Sequence, residues 1–129
     1  MSNEASISEL RVLIADDSKA MRAILKGQLN NIGIEDVIEA DSGQTAILGL
    51  TKNEVDLVLC DWNMPDPNGL EFLKLIRNNE KFKSIPFIMI TTEGDKEHIV
   101  KAAEAGVSDY IVKPFSPEVL LRKIKQVLH

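Results

Sequence analysis

The chain has 129 residues, with 15 lysines and arginines against 20 aspartates and glutamates, and so carries a net charge of −5. This length predicts one domain with a real hydrophobic core, and an apolar share of 44% with a charged share of 27% is typical of globular proteins. The acidic balance argues against nucleic-acid binding, because negative charge repels the phosphate backbone. We therefore expect a single domain over residues 1–129.

The N-terminus and the apolar runs argue against export or membrane insertion. Residues 1–9 contain Glu4 and Glu9 in place of the basic and apolar regions of a signal peptide, and we expect a loosely ordered segment there. No apolar stretch approaches the roughly 20 residues that cross a bilayer. The single cysteine, Cys60, excludes an internal disulfide and is expected in the core. The sequence thus favours a cytoplasmic monomer with no membrane partner.

Five short apolar runs recur along the chain, and a segment of helical period follows each of them. Four runs are almost uninterrupted, which is typical of strands covered on both faces. Glu39 interrupts the second run, which we therefore expect nearer an edge of the sheet. The runs are residues 12–15, 37–40, 55–60, 87–90 and 110–112.

The helical segments have recognisable start and stop signals. Ser18 is expected as an N-cap and Gly33 as a C-cap of the first helix, while Ser116 and Pro117 are expected to begin the last. Apolar residues recur three and four positions apart in each segment. The stripes are Met21, Ile24, Leu25, Leu29 and Ile32; Ala46, Ile47 and Leu50; Leu70, Leu73 and Ile76; Ile99, Val100 and Ala103; Leu120, Leu121, Ile124, Val127 and Leu128.

Strand followed by helix, five times over, predicts an α/β fold. The strands would form a parallel sheet with helices on both faces, joined by right-handed crossovers. The pattern leaves the strand order open between a flavodoxin-like and a shortened Rossmann-like arrangement.

The residues that follow the predicted strands carry complementary chemistry. Ligands of an open parallel sheet bind beyond the carboxyl ends of its strands. Three carboxylates gathered there would repel one another unless a cation such as Mg²⁺ neutralises them. A hydroxyl and an ammonium opposite them match an aspartyl-phosphate site with an aspartate nucleophile. The groups are Asp16-Asp17 after the first run, Asp61 after the third, Thr91-Thr92 after the fourth and Lys113-Pro114 after the fifth.

Each of these motifs also has a purely structural explanation. Two aspartates before a helix act as caps, the turn residues after Asp61 resemble loop chemistry, and a lysine before a proline can lie in solvent. The coincidence of complementary groups at four strand ends favours the functional interpretation. Glycine-rich phosphate loops and a serine-hydrolase elbow are missing from the sequence. His98 and His129 are expected at the surface.

Taken together and in order, these motifs resemble the receiver domain of two-component response regulators, and the chemotaxis regulators of that family in particular. The resemblance runs from Arg11 to the C-terminus, and it implies a flavodoxin-like doubly wound (βα)5 fold with strand order 2-1-3-4-5. The motifs are Asp16-Asp17, Asp61-Trp62-Asn63-Met64-Pro65 and the stretch from Thr91 through Tyr110 to Lys113-Pro114-Phe115.

The resemblance implies an acceptor and a metal site. Asp61 would take a phosphoryl group from a histidine kinase or a small phosphodonor. Asp16, Asp17, Asp61 and the backbone carbonyl of Asn63 would hold Mg²⁺. Such a protein catalyses only its own phosphorylation and dephosphorylation, so we do not expect an enzyme with other substrates.

The resemblance also implies a switch. Thr91 and Lys113 would bind the phosphoryl oxygens, and Tyr110 would move inward as Thr91 shifts. The peptide bond between Lys113 and Pro114 is usually cis in the family. Residues 99–128 would present a face to a partner, because no output domain is expected after this chain.

The implied partners are a chemotaxis-type histidine kinase, the flagellar motor switch protein or another output protein, and a phosphatase. The alternative function is a phosphorelay intermediate or a phosphate sink, which would have the same phosphorylation chemistry but no motor target. A flavodoxin-type cofactor module and an aspartate phosphatase are the rivals from other classes. Two positions depart from the family pattern, Asn68 in place of a common aspartate and Thr92 in place of a common alanine. Glu93 and Asn63 would flank the path of a hydrolytic water.

Overall fold

The computed structural model describes residues 7–128 and contains five strands that alternate with five helices. His129 and most of the expected N-terminal segment lie outside this range, although Ile7 is buried. The elements are β1 (Arg11–Ala15), α1 (Lys19–Asn31), β2 (Asp36–Ala40), α2 (Gly43–Lys52), β3 (Leu57–Cys60), α3 (Gly69–Arg77), β4 (Phe87–Thr91), α4 (Lys96–Glu104), β5 (Asp109–Val112) and α5 (Pro117–Val127).

The strands form one parallel sheet in the order β2-β1-β3-β4-β5. The flavodoxin-like fold is therefore confirmed, and the Rossmann-like order is excluded. Strands β1, β3 and β4 are almost entirely buried, as uninterrupted apolar runs predict. Strand β2 lies at an edge with Glu39 exposed, which confirms the reading of the interrupted run.

The predicted helix signals act at the expected positions. The Ser18 hydroxyl accepts a hydrogen bond from the Met21 amide at 3.1 Å, and the Ser116 hydroxyl caps α5 in the same way. Gly33 adopts a φ of 98° just after α1, a left-handed conformation that favours glycine. Side-chain caps at Ser18 and Ser116 therefore set the starts of α1 and α5, and the backbone turn at Gly33 ends α1.

Two apolar layers cover the two faces of the sheet. Helices α1 and α5 pack on one face, and α2, α3 and α4 pack on the other. The stripe predicted for α4 is wrong, because Ile99 and Val100 are exposed and Ala102 is the buried residue. Ile24 of α1 is exposed as well. Within residues 7–128, no helix combines the length and apolar character needed to cross a membrane.

Candidate functional site

Three carboxylates meet at the carboxyl end of the sheet. Ala15 of β1 lies beside Cys60 of β3 in register, so the residues that follow them, Asp16 and Asp61, become neighbours. Each of Asp16, Asp17 and Asp61 offers an oxygen, and the three oxygens lie within 4.8 Å of one another. Asp16 and Asp61 are nearly buried, whereas Asp17 is exposed. The structure thus brings together the three acids that the sequence analysis singled out.

The Lys113 ammonium bridges two of these acids. Its Nζ donates to Asp16 Oδ2 at 2.9 Å and to Asp61 Oδ2 at 3.2 Å. Burial acts to lower the pKa of Lys113, but the hydrogen bond to Asp16 and the charges of Asp61 and Asp16 outweigh it and raise that pKa. The bond between Lys113 and Pro114 is cis, as the family resemblance implies. One ammonium among three carboxylates leaves an excess of negative charge.

The backbone of Asp61 is closely packed against the start of α3 and against the Cys60 side chain. A Cβ at position 69 would lie 2.1 Å from the Asp61 carbonyl oxygen, so only glycine allows α3 to begin this close. The Cys60 thiol donates to the same carbonyl at 3.1 Å, and its predicted place in the core is confirmed. Burial raises the pKa of Cys60, and the charges of Asp61 and Asp16 add to that shift.

The two candidate switch residues share Glu93 as a partner. Thr91 is fully buried, and its hydroxyl accepts a hydrogen bond from the Glu93 amide at 3.4 Å. The hydroxyl of half-buried Tyr110 donates to the Glu93 carbonyl. Burial raises the pKa of Tyr110 to about 12, with further contributions from Asp95, Glu93 and Asp61. The neighbouring Thr92 is exposed.

Known proteins are similar to this chain along almost its whole length. The model of the response regulator receiver domain matches residues 12–125. The chain belongs to that family. A chemotaxis protein CheY homolog of Campylobacter jejuni is 48% identical over 120 residues, covering 92% of each chain. Chemotaxis protein CheY1 of Helicobacter pylori is also 48% identical over 120 residues, covering 92% of this chain and 97% of that one.

Solved structures agree with the family assignment. Chemotaxis response regulator CheY4 of Vibrio cholerae superposes with a TM-score of 0.84 at 35% identity, covering 92% of this chain and 98% of the other. A two-component response regulator from Clostridium difficile reaches a TM-score of 0.85 at 30% identity, covering 93% of this chain and 96% of the other. The protein is therefore a receiver domain of the CheY type, a signalling module and not a classical enzyme.

Contacts between distant parts of the receiver chain escaped the sequence analysis. The Asn63 side-chain amide donates to Glu93 Oε1 at 3.1 Å, and Glu93 Oε2 lies 3.6 Å from His98 Nε2. The His98 ring meets the Trp62 ring edge-on, with centroids 4.6 Å apart. His98 is partly exposed, but it also joins the β4–α4 loop to the residue next to Asp61. Periodicity carries no signal for such contacts.

Proposed function

We propose that this protein is a two-component switch that is phosphorylated on Asp61 with Mg²⁺ as its cofactor. The observation that supports this most directly is the position of the Lys113 ammonium, within hydrogen-bond distance of both Asp61 and Asp16. An ammonium held beside a nearly buried carboxylate suits a site that must receive a phosphoryl group.

The donor set fits a hard divalent cation. Three carboxylate oxygens lie within 4.8 Å of one another, and Mg²⁺ prefers oxygen ligands of this kind. Asp16, Asp17 and Asp61 would hold the ion together with the backbone carbonyl of Asn63. The backbone N–H of Asn63 already donates a hydrogen bond to Asp61 Oδ1 at 3.4 Å. When bound, Mg²⁺ supplies positive charge that offsets the charge on the transferred group.

The transfer itself is a nucleophilic displacement. An oxygen of Asp61 attacks the phosphorus of a phosphohistidine, the phosphorus–nitrogen bond breaks, and the imidazole leaves with the electron pair. Lys113 remains hydrogen-bonded at the site and stabilises the phosphoryl oxygens. Hydrolysis of the acyl phosphate by water resets the switch.

The shared partner of Thr91 and Tyr110 supports a two-state switch. When the Thr91 hydroxyl turns towards the phosphoryl group, it gives up its bond with the Glu93 amide. The peptide groups of Glu93 are then free to move, and Tyr110 loses the carbonyl that holds its hydroxyl. Tyr110 moves inward in response, so that a charge added at Asp61 changes the surface near β5.

Exposed apolar residues near β5 support an output by protein contact. Ile99, Val100 and Val112 are all exposed although they are large and apolar. The chemotaxis relatives favour the flagellar motor switch protein as the partner of this face, or else another output protein. A chemotaxis-type histidine kinase would supply the phosphoryl group in the cytoplasm, and a phosphatase would speed its removal.

Phosphorylation is tested with two aspartates at opposite ends of β3. Wild type, Asp61→Asn and Asp56→Asn are incubated with acetyl phosphate and Mg²⁺, and intact mass is measured. Asp56 precedes β3 and accepts a hydrogen bond from the Arg11 amide, so it is the matched control. We expect one phosphoryl group on wild type and on Asp56→Asn, none on Asp61→Asn, and none when a chelator removes Mg²⁺. Equal labelling of wild type and Asp61→Asn would contradict the assignment.

The output is tested by titrating the protein against the flagellar motor switch protein. We expect affinity to rise at least about 5-fold on phosphorylation, the lower range for coupling between two sites. Replacing Val100 with serine should lower affinity in both states, because it removes apolar surface from the contact. Unchanged affinity on phosphorylation would instead favour a phosphorelay intermediate or a phosphate sink.

A further inference from the structure

Arg22, near the start of α1, is a charged residue that the proposed chemistry leaves without a role. Its side chain is only 14% exposed. Its guanidinium makes two hydrogen bonds in different directions, from Nη1 to the Asp16 carbonyl at 2.6 Å and from Nε to Glu39 Oε1 at 3.0 Å. Arg22 therefore ties the residue after β1 to the edge strand β2.

The Arg22 contact completes a set of bonds that hold Asp16 in one orientation. Asp16 Oδ1 accepts from the Ser18 amide at 2.9 Å, and Oδ2 accepts from Lys113 at 2.9 Å. The Asp16 amide donates to the Ala40 carbonyl, and the Asp16 carbonyl receives the guanidinium. A charged donor makes a stronger hydrogen bond than a neutral one, so the Arg22 bond is a main restraint on the turn that carries Asp16 and Asp17.

Arg22 makes its two contacts from two different nitrogens of one rigid group, Nε and Nη1. The planar guanidinium presents several N–H donors in a rigid fork, whereas an ammonium is a single point charge on a flexible stem. Glu39 pairs with Ile14 in the register of β1 and β2, so its carboxylate is held beside the strand that leads to Asp16. Glu39 in turn orients the fork towards the Asp16 carbonyl.

We propose that Arg22 is a positioning residue for the Mg²⁺ site, one that acts through the backbone of Asp16 without touching the ion. This inference rests on the proposed function, since it concerns the same site. Residues that orient metal ligands commonly change metal affinity by about 10-fold to 100-fold when they are replaced. We expect a change of that size for Arg22→Ala.

The test compares Arg22 with an arginine at the other end of the same two strands. Arg11 Nε lies 2.9 Å from Asp36 Oδ2, and these residues pair in the register of β1 and β2. Wild type, Arg22→Ala, Arg22→Lys and Arg11→Ala are prepared as isotope-labelled proteins. Their Mg²⁺ dissociation constants are measured by NMR with the metal alone, and the exchange rate of the Ser18 amide is measured without metal.

A positioning role predicts a graded result. Arg22→Ala should weaken Mg²⁺ binding at least about 10-fold and speed exchange at Ser18, and Arg22→Lys should fall between it and wild type. Arg11→Ala should leave both measurements within about 2-fold of wild type, because exposed ion pairs contribute little. Equal Mg²⁺ affinities in Arg22→Ala and Arg11→Ala would overturn this inference alone. Failure of wild type to bind Mg²⁺ would overturn the proposed function and this inference together.

Discussion

The two ends of the sheet carry the same kind of ion pair in opposite surroundings. At the amino end, Arg11 and Asp36 lie 2.9 Å apart, with side chains 38% and 51% exposed. At the carboxyl end, Lys113 and Asp16 lie at the same distance with side chains 10% and 3% exposed. Equal distances therefore do not mean equal energies, because water screens the first pair and is largely excluded from the second.

The two ends differ in charge balance as well as in burial. Arg11 pairs with Asp36 at the exposed end, whereas at the carboxyl end one ammonium lies near three acids and is hydrogen-bonded to two of them, Asp16 and Asp61. Buried charge without full compensation costs stability, so stability alone does not account for this arrangement. Such an excess is typical of a functional site, where binding of a cation or transfer of a group uses it.

Removing the cationic side chain at each end of the sheet should give the largest difference in the free energy of unfolding. Lys113→Met leaves nearly buried carboxylates without their ammonium, and we expect the free energy of unfolding to fall by about 3 kcal/mol. Arg11→Met should cost less than about 1 kcal/mol, because that pair is exposed. Urea unfolding in Mg²⁺-free buffer measures both values.

Mg²⁺ provides the control for the Lys113 variant. Added Mg²⁺ should stabilise Lys113→Met more than wild type, because it also replaces the positive charge of the lost ammonium, and should stabilise Arg11→Met by the same amount as wild type, because that variant keeps the three acids. Equal losses in the two variants would show that the ends of the sheet do not differ energetically.

Removing one acid at each end of the sheet should change the free energy of unfolding in opposite directions. Asp17→Asn relieves repulsion among three carboxylates, so the free energy of unfolding without Mg²⁺ should rise by up to about 1 kcal/mol. Asp36→Asn removes the partner of Arg11, so the same quantity should fall by less than about 1 kcal/mol. Thermal unfolding of both variants in a chelating buffer decides the signs. Destabilisation by Asp17→Asn would contradict the charge excess proposed for the carboxyl end.

A titration at alkaline pH should give the smallest effect. Tyr110 ionises near pH 10.0 when unfolded and near pH 12 when folded, so its contribution is complete below pH 10 and is lost as the pH rises towards 12. The raised pKa of Lys113 acts in the same direction, because its contribution to stability is lost as the pH rises above the usual pKa of 10.5. Between pH 10 and 12 wild type should therefore lose more stability than Tyr110→Phe.

Tyr110 is the only tyrosine in the chain, so tyrosinate absorbance follows it directly. The absorbance midpoint of the folded protein should lie well above pH 10. A midpoint at the ordinary value would mean that the Tyr110 side chain is not half-buried with its hydroxyl bonded to Glu93 as described.

Much of the fold was predictable because its signals are local. The caps at Ser18 and Ser116, the turn at Gly33 and the buried strands follow from backbone preferences and from periodicity within a few residues. The prediction for α4 failed because helical spacing alone does not show which face meets the sheet. Ala102 faces the core there, and the larger Ile99 and Val100 remain on the surface.

Part of the candidate site was likewise predictable from the sequence, and part was not. The acids and the lysine could be found because residues after parallel strands meet at one edge of the sheet. The contacts of Arg22 with Asp16 and Glu39 could not be found, since Arg22 and Glu39 lie 17 positions apart and on different elements. The peptide groups of Glu93, which both Thr91 and Tyr110 contact, show no pattern in the sequence either.

The sequence by itself determined the alternation of strands and helices, the helix caps and the acids, lysine and threonine at the strand ends. These follow from interactions over one or two turns of chain and from the rule that parallel strands share a carboxyl edge. The strand order was implied by the family resemblance and established by the sheet. Only the tertiary structure decided that Lys113 bridges Asp16 and Asp61, 97 and 52 positions away, because packing alone sets such distances.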